Sequence, residues 1–187
     1  MSDLHPVDVL MDEHRLIERV LDAVEQRASA LQDGPFPGDF FRKAVDFIRN
    51  FADGRHHFKE EECLFPMLGE HGLPKEGGPV ACMLHEHTLG RECVAGISNN
   101  LEAAEAGSKE AAALVRQNAL AYVELLRQHI YKEDNILFRM ARQLIAGTEA
   151  ERLYASYAGA ETRCAPEEKY RRLAEELEAQ AAPQCCR

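Results

Sequence analysis

Apolar positions recur along this chain at gaps of three and four, or their sums, in four long segments. The first carries Val7, Leu10, His14, Ile17, Leu21, Val24, Ala28 and Leu31. The second carries Phe41, Val45, Ile48, Ala52, His56, Glu60, Cys63 and Met67. The third carries Val80, Met83, His87, Val94, Ile97 and Leu101, and the fourth Leu114, Tyr122, Leu126, His129, Glu133, Ile136 and Met140. Such spacing keeps one side of an α-helix apolar. Clusters of Pro and Gly at 32–39 and 69–79, and the turn at 106–110, separate the segments. Asp39 is placed to cap the second helix, and Pro79 suits the first turn of the third. Four amphipathic helices joined by short loops predict an all-α, up-down-up-down four-helix bundle. Beyond it the helical pattern weakens. "PEEKYRRLAEELEAQA" reads as a charged helix packed outside the bundle or projecting from it. The expected organisation is a bundle over 1–147 and a C-terminal helical extension over 148–187.

Six members of these stripes do not belong in a hydrocarbon core: His14, His56, Glu60, His87, His129 and Glu133. A buried carboxylate without a compensating cation or strong donors costs several kcal/mol. Taken singly, each has a plainer explanation. A lone core histidine is usually a hydrogen-bonded structural residue, and one HxxxE turn is often a surface pair. The set is different, because His-x-x-x-Glu-x-x-x-x-Phe occurs twice, at 56–65 and 129–138. One further inward histidine comes from each of the other two helices. Imidazole and carboxylate converging on one core fit iron, manganese or zinc.

The first copy, "RHHFKEEECLFPML", offers two histidines and three glutamates. An α-helix turns about 100° per residue. That places His56 and Glu60 with Val45, Ala52, Cys63 and Met67, and swings His57 and Glu61 away from the centre. The second copy agrees, since His129 and Glu133 stand at the same offsets from Phe138 as His56 and Glu60 from Phe65. His57, Glu61 and Glu62 are expected to flank or support the site, with His57 the one to watch as an extra ligand. His5, His71 and His85 fall off the stripes and are expected to be solvated.

Composition narrows the function classes. Apolar residues are 45% and charged residues 29%, an ordinary globular balance. The net charge of -10 and the lack of a Lys/Arg cluster argue against a nucleic-acid partner. No stretch approaches the roughly 20 apolar residues of a membrane span. The acidic start "MSDLHPVDVLMDEHR" is unlike a signal peptide, and the six cysteines form no CxxC pair, so a cytoplasmic protein with reduced thiols is expected. Cys63, Cys82 and Cys93 are expected to be small buried residues; Cys185 and Cys186 read as a reactive terminal pair.

The stretches "MDEHRLI", "HHFKEEECLFPML", "MLHEHTLGR" and "HIYKEDNILF", in this order on four helices, resemble the hemerythrin-like family of HHE cation-binding domains. The likeness spans about residues 5–145. It implies a non-haem centre of two iron ions inside the bundle. Glu60 and Glu133 would bridge the irons, and His14, His56, His87 and His129 would be terminal ligands. It also implies small ligands such as O2, peroxide or nitric oxide, for sensing, storage or iron and stress handling. The competing reading is a di-iron oxidoreductase with peroxidase-, ferroxidase- or nitric-oxide-reducing activity, although no substrate pocket is legible. A third places a protein partner on the extension. The chain departs from the oxygen carriers at Met83, where they have a fifth histidine. Water, another exogenous ligand, or a neighbour such as His57 or His85 would have to complete that iron. Asp134 occupies the place of the carriers' aspartate, next to Glu133.

Overall fold

The structure, a computed structural model, describes residues 5–31, 35–162 and 165–181, and among these there is no β-strand. Six helices follow one another among the described residues. They are α1 (Pro6–Ser29), α2 (38–70), α3 (Gly78–Glu105), α4 (109–144), α5 (Thr148–Glu161) and α6 (Glu167–Ala181). His5 caps α1: its ring accepts from the Val7 amide, its own amide donates to Asp8, and Pro6 follows. Ser108 caps α4. Asp39 does not cap α2, which starts one residue earlier, at Gly38, with no side-chain cap. Gly77 and Gly78, both at positive φ, deliver the chain into α3, and Pro79 stands in its first turn as expected.

Two apolar clusters build the interior. One holds Leu16 to Ala28 of α1, Phe40 to Ala52 of α2, Val94 to Ala104 of α3 and Ala111 to Ile130 of α4. The other holds Val7 and Leu10, then Leu64 to Leu68, then Val80 and Met83, then Leu137 to Ala141. In α1, α2 and α3 the stretch between the two clusters carries the stripe's polar residues, and in α4 His129 and Glu133 stand on either side of Ile130, the last member of the first cluster there, so they form a layer across the core.

The extension is packed, not projecting. Tyr170, Ala174, Leu177 and Ala181 of α6 are buried in the first cluster, against α1 and α2, and Leu153 and Tyr157 of α5 are buried in the second. No described helix is long and apolar enough to cross a membrane.

Two helices depart from regular α geometry, and this moves side chains. Residues Ile48–His57, Glu60–Leu64 and Glu133–Leu137 are π-helical, with hydrogen bonds reaching five residues back. A wider turn advances each side chain by a smaller angle, so the apolar stripe slips by one residue. Leu64 is buried while Cys63 is only half-buried, and Leu137 is buried while Ile136 is 51% exposed. Leu114 also lies outward, with Val115 buried beside it. Cys82 is exposed and Cys93 half-buried, against the expectation of buried thiols. Cys185 and Cys186 lie outside the described residues.

Candidate metal centre

All six stripe residues meet in one buried layer. His14 comes from α1, His56 and Glu60 from α2, His87 from α3, and His129 and Glu133 from α4; each is at most 1% exposed. The departure from the sequence reading is His57. It is also buried, and its ring lies 3.8 Å from that of His87, nearly parallel. The 100° step assumed an α-helix; the π-helical turn ending at His57 brings two consecutive histidines onto the core side. The doubled phrase HHxxEE, His56-His57 followed by Glu60-Glu61, was the sequence signal for it. His85 remains exposed and His71 pairs with Glu149 on the surface. The fifth inward imidazole therefore stands on α2. Met83, 3% exposed, sits in the second apolar cluster.

The side chains form two overlapping sets, His57, Glu60, His87 and His129, and His14, His56, Glu60 and Glu133. Within each, the potential ligand atoms lie within 4.8 Å of one another. Glu60 spans both: one oxygen is 3.5 Å from His56 Nε2 and the other 3.4 Å from His87 Nε2. Glu133 Oε2 stands 3.2 Å from both His14 Nε2 and His129 Nε2.

Each ring turns one nitrogen inward and gives the other to a carboxylate behind it. His14 Nδ1 donates to Asp134 at 2.7 Å, His56 to Glu13 at 3.2 Å, and His57 to Asp53 at 3.3 Å. His87 donates to Glu61 at 2.7 Å and His129 to Glu86 at 3.1 Å. A carboxylate on the far nitrogen fixes tautomer and ring direction and makes the inner nitrogen a better donor to a metal. The sequence reading missed these roles for Glu13, Asp53 and Glu86. Part of the signal was there, in the acid directly before His14 and His87. Phe65 stacks on His87 and Phe138 on His14, so the Phe of each repeated phrase holds the lone histidine of the neighbouring helix.

The inner face is not satisfied by protein. His14 Nε2, His56 Nε2 and both oxygens of Glu60 and Glu133 are buried without a hydrogen bond; their neighbours lie in ion-pair range but not in hydrogen-bonding geometry. His87 Nε2 faces His129 Nε2 at 3.2 Å. Native proteins rarely leave so many buried polar atoms unpaired. Without a cation, protons do the compensating. Burial alone depresses the His14 and His129 pKa values, but the carboxylates win: Asp134 and Glu133 hold His14 up at about 9, and Glu133 with Glu86 holds His129 up at about 10. Burial raises Glu133, yet His129 and His14 keep it well below the ordinary range. His57 goes the other way, pushed well down by burial and by His87. Beside it, a cavity of about 260 Å³ opens against Asp53, His57, His87, Gly90, Arg91 and Tyr122.

The sequence model of the hemerythrin HHE cation binding domain matches residues 5–141. The chain belongs to this family. Uncharacterized proteins of Mycobacterium tuberculosis and Mycobacterium bovis are 26% identical to it over 141 residues, which is 75% of this chain and 54% of theirs. The chain thus spans about half the length of these curated relatives. No solved structure matches it. The buried His/Glu layer is consistent with the cation binding for which this family is named, and α5 and α6 lie beyond the matched segment.

Proposed function

We propose that this hemerythrin-family chain holds two iron ions in an up-down-up-down four-helix bundle over 1–147, and binds O2, peroxide or nitric oxide there. The observation that carries the reading is the pair of four-residue sets sharing Glu60, with the inner atoms of His14, His56, Glu60 and Glu133 buried and unpaired. One ion would take His57, His87 and His129, the other His14 and His56, with Glu60 and Glu133 between them. The apolar clusters along each helix alternate in order, which supports the up-down topology. The irons would supply redox chemistry and a place for a small ligand.

The chain's own residues do the rest. Asp134, Glu13, Asp53, Glu61 and Glu86 aim the imidazoles. The apolar clusters exclude bulk water, and the protons on His14 and His129 balance Glu60 and Glu133 until cations replace them. The role we read for such a centre is sensing, storage, or iron and stress handling in the cytoplasm, without nucleic acid or membrane as partner. The cavity at His57 and His87 favours a second reading, a di-iron oxidoreductase, because it gives a co-substrate a route to the ligands' edges.

The test is metal analysis and visible spectroscopy of protein from iron-supplemented cells, before and after exposure to air. About two irons per chain and an oxygen-dependent absorption band are expected. One ion per chain, or stoichiometric zinc, would overturn the di-iron reading, and multiple turnovers with peroxide or nitric oxide would establish the oxidoreductase instead.

A further inference from the structure

A buried ionic cluster behind His56 is left over from this account. Glu13 receives His56 Nδ1 on one oxygen. Its other oxygen accepts from Lys59 Nζ at 2.7 Å and from Arg55 Nε at 3.1 Å. Lys59 is fully buried and the Arg55 side chain is 7% exposed. Two cations against one anion leave an excess positive charge in the interior, directly behind a residue that would bind a cation. That is costly for the fold and repulsive to the metal.

The balance comes from the C-terminal extension. Arg55 reaches Glu161, the last residue of α5, at 3.2 Å, and Glu167, the first of α6, at 3.3 Å. Lys59 is 3.7 Å from Glu161, and its ammonium stands over the Tyr157 ring of α5 at 5.5 Å. Among the described residues nothing of this kind covers the other side of the centre. There Glu86 pairs with Lys132, whose side chain is 32% exposed, and the residue before His129 is the exposed Gln128 where Arg55 precedes His56.

We propose that Glu161 and Glu167 are positioning residues for the metal centre: by neutralising Arg55 and Lys59 they keep Glu13 on His56 and hold the ion of the His14–His56–Glu133 set. The extension, which lies outside the family's matched segment, thereby sets the retention of one ion of the two. This rests on the two-iron reading.

The experiment is chelator-driven iron release from the full-length loaded protein, followed at the visible band. In the double variant Glu161→Gln with Glu167→Gln, about half of the iron should leave about tenfold faster, the low end of the effect of losing support behind a ligand. The other half should keep its wild-type rate. Glu176→Gln, on the same α6 but paired with Lys43, should change nothing. Adding Arg55→Met to the double variant removes the excess charge and should restore slow release. Equal acceleration of both halves means a general loosening of the fold and overturns the proposal, as does no acceleration or a triple variant that fails to recover. A wild-type chain that never loads about two irons defeats the two-iron reading itself, a different outcome read before any variant is made.

Discussion

The α1–α2 half and the α3–α4 half of this molecule repeat one design. Glu13-His14 on α1 corresponds to Glu86-His87 on α3. Lys59-Glu60-Glu61 with Phe65 on α2 corresponds to Lys132-Glu133-Asp134 with Phe138 on α4. The contacts repeat as well. Glu61 backs His87 as Asp134 backs His14, Glu86 backs His129 as Glu13 backs His56, and Lys132 pairs with Glu86 as Lys59 pairs with Glu13. The symmetry breaks at His57, with the Asp53 that backs it, and at Arg55. His57 stands where the second copy has Ile130, which joins the apolar core, and Arg55 stands where it has Gln128. The first half therefore gains an imidazole inside and a buried cation outside, and the extension covers that cation. A centre made of two like halves acquires two unlike sites through these substitutions and one π-helical turn.

The largest test of the comparison is at Glu60, which touches both sets. Glu60→Ala should reduce iron from about two per chain to near zero, measured by metal analysis of folded protein. Retention of one ion would show that the two sites do not share it. Next come the adjacent histidines. His56→Ala and His57→Ala should each cost about one ion of the two, because each belongs to a different set. If His57→Ala leaves the metal content intact, the imidazole that breaks the symmetry is structural only.

The protons of the metal-free centre give a third test, one group from each half. His14 and His129 rise on folding from 6.5 to about 9 and about 10. A raised base stabilises fully below its unfolded pKa and loses that contribution as pH climbs through the folded value. Metal-free protein should therefore lose stability between about pH 6.5 and 10, on the order of 3 kcal/mol through His14 and 5 kcal/mol through His129. Thermal melts read this directly. Iron-loaded protein, with its imidazoles deprotonated throughout, should be nearly level over the same range, and a level metal-free curve would show that the two glutamates are not balanced by these protons.

The smallest effects separate the paired lysines. Lys59→Met should destabilise by about 2–3 kcal/mol in urea, less than a fully orphaned charge because Arg55 still holds Glu13. Its counterpart Lys132→Met, at a partly solvated pair, should cost less than about 1 kcal/mol. Equal losses would erase the difference between the sealed half and the open one.

The family, the helices and the layer of six inward His and Glu positions were legible in the amino-acid order, because burial on a helix imposes a period and charged residues at that period stand out. The pattern also marked Glu133 over Asp134 as the inward residue, and the two side chains do point that way, one into the layer and one behind His14. The sequence marked His57 as a residue to watch, and the structure decided that it faces the centre. Periodicity presumes one turn per 3.6 residues, and where the backbone widened to π-helical turns at 48–57 and 133–137 the phase moved, carrying His57 in and Ile136 out. The five backing carboxylates and the Arg55–Glu13–Lys59 cluster were equally out of reach in full. Apart from Asp53, four residues before His57 on α2, their partners lie on other helices, far away in the chain, and a charge next to a histidine looks the same whether it faces water or a neighbour. Local spacing determined which residues face inward along each regular helix; the packing of α1, α5 and α6 on α2 decided which charges were sealed behind them, since electrostatic partnership depends on distance through space.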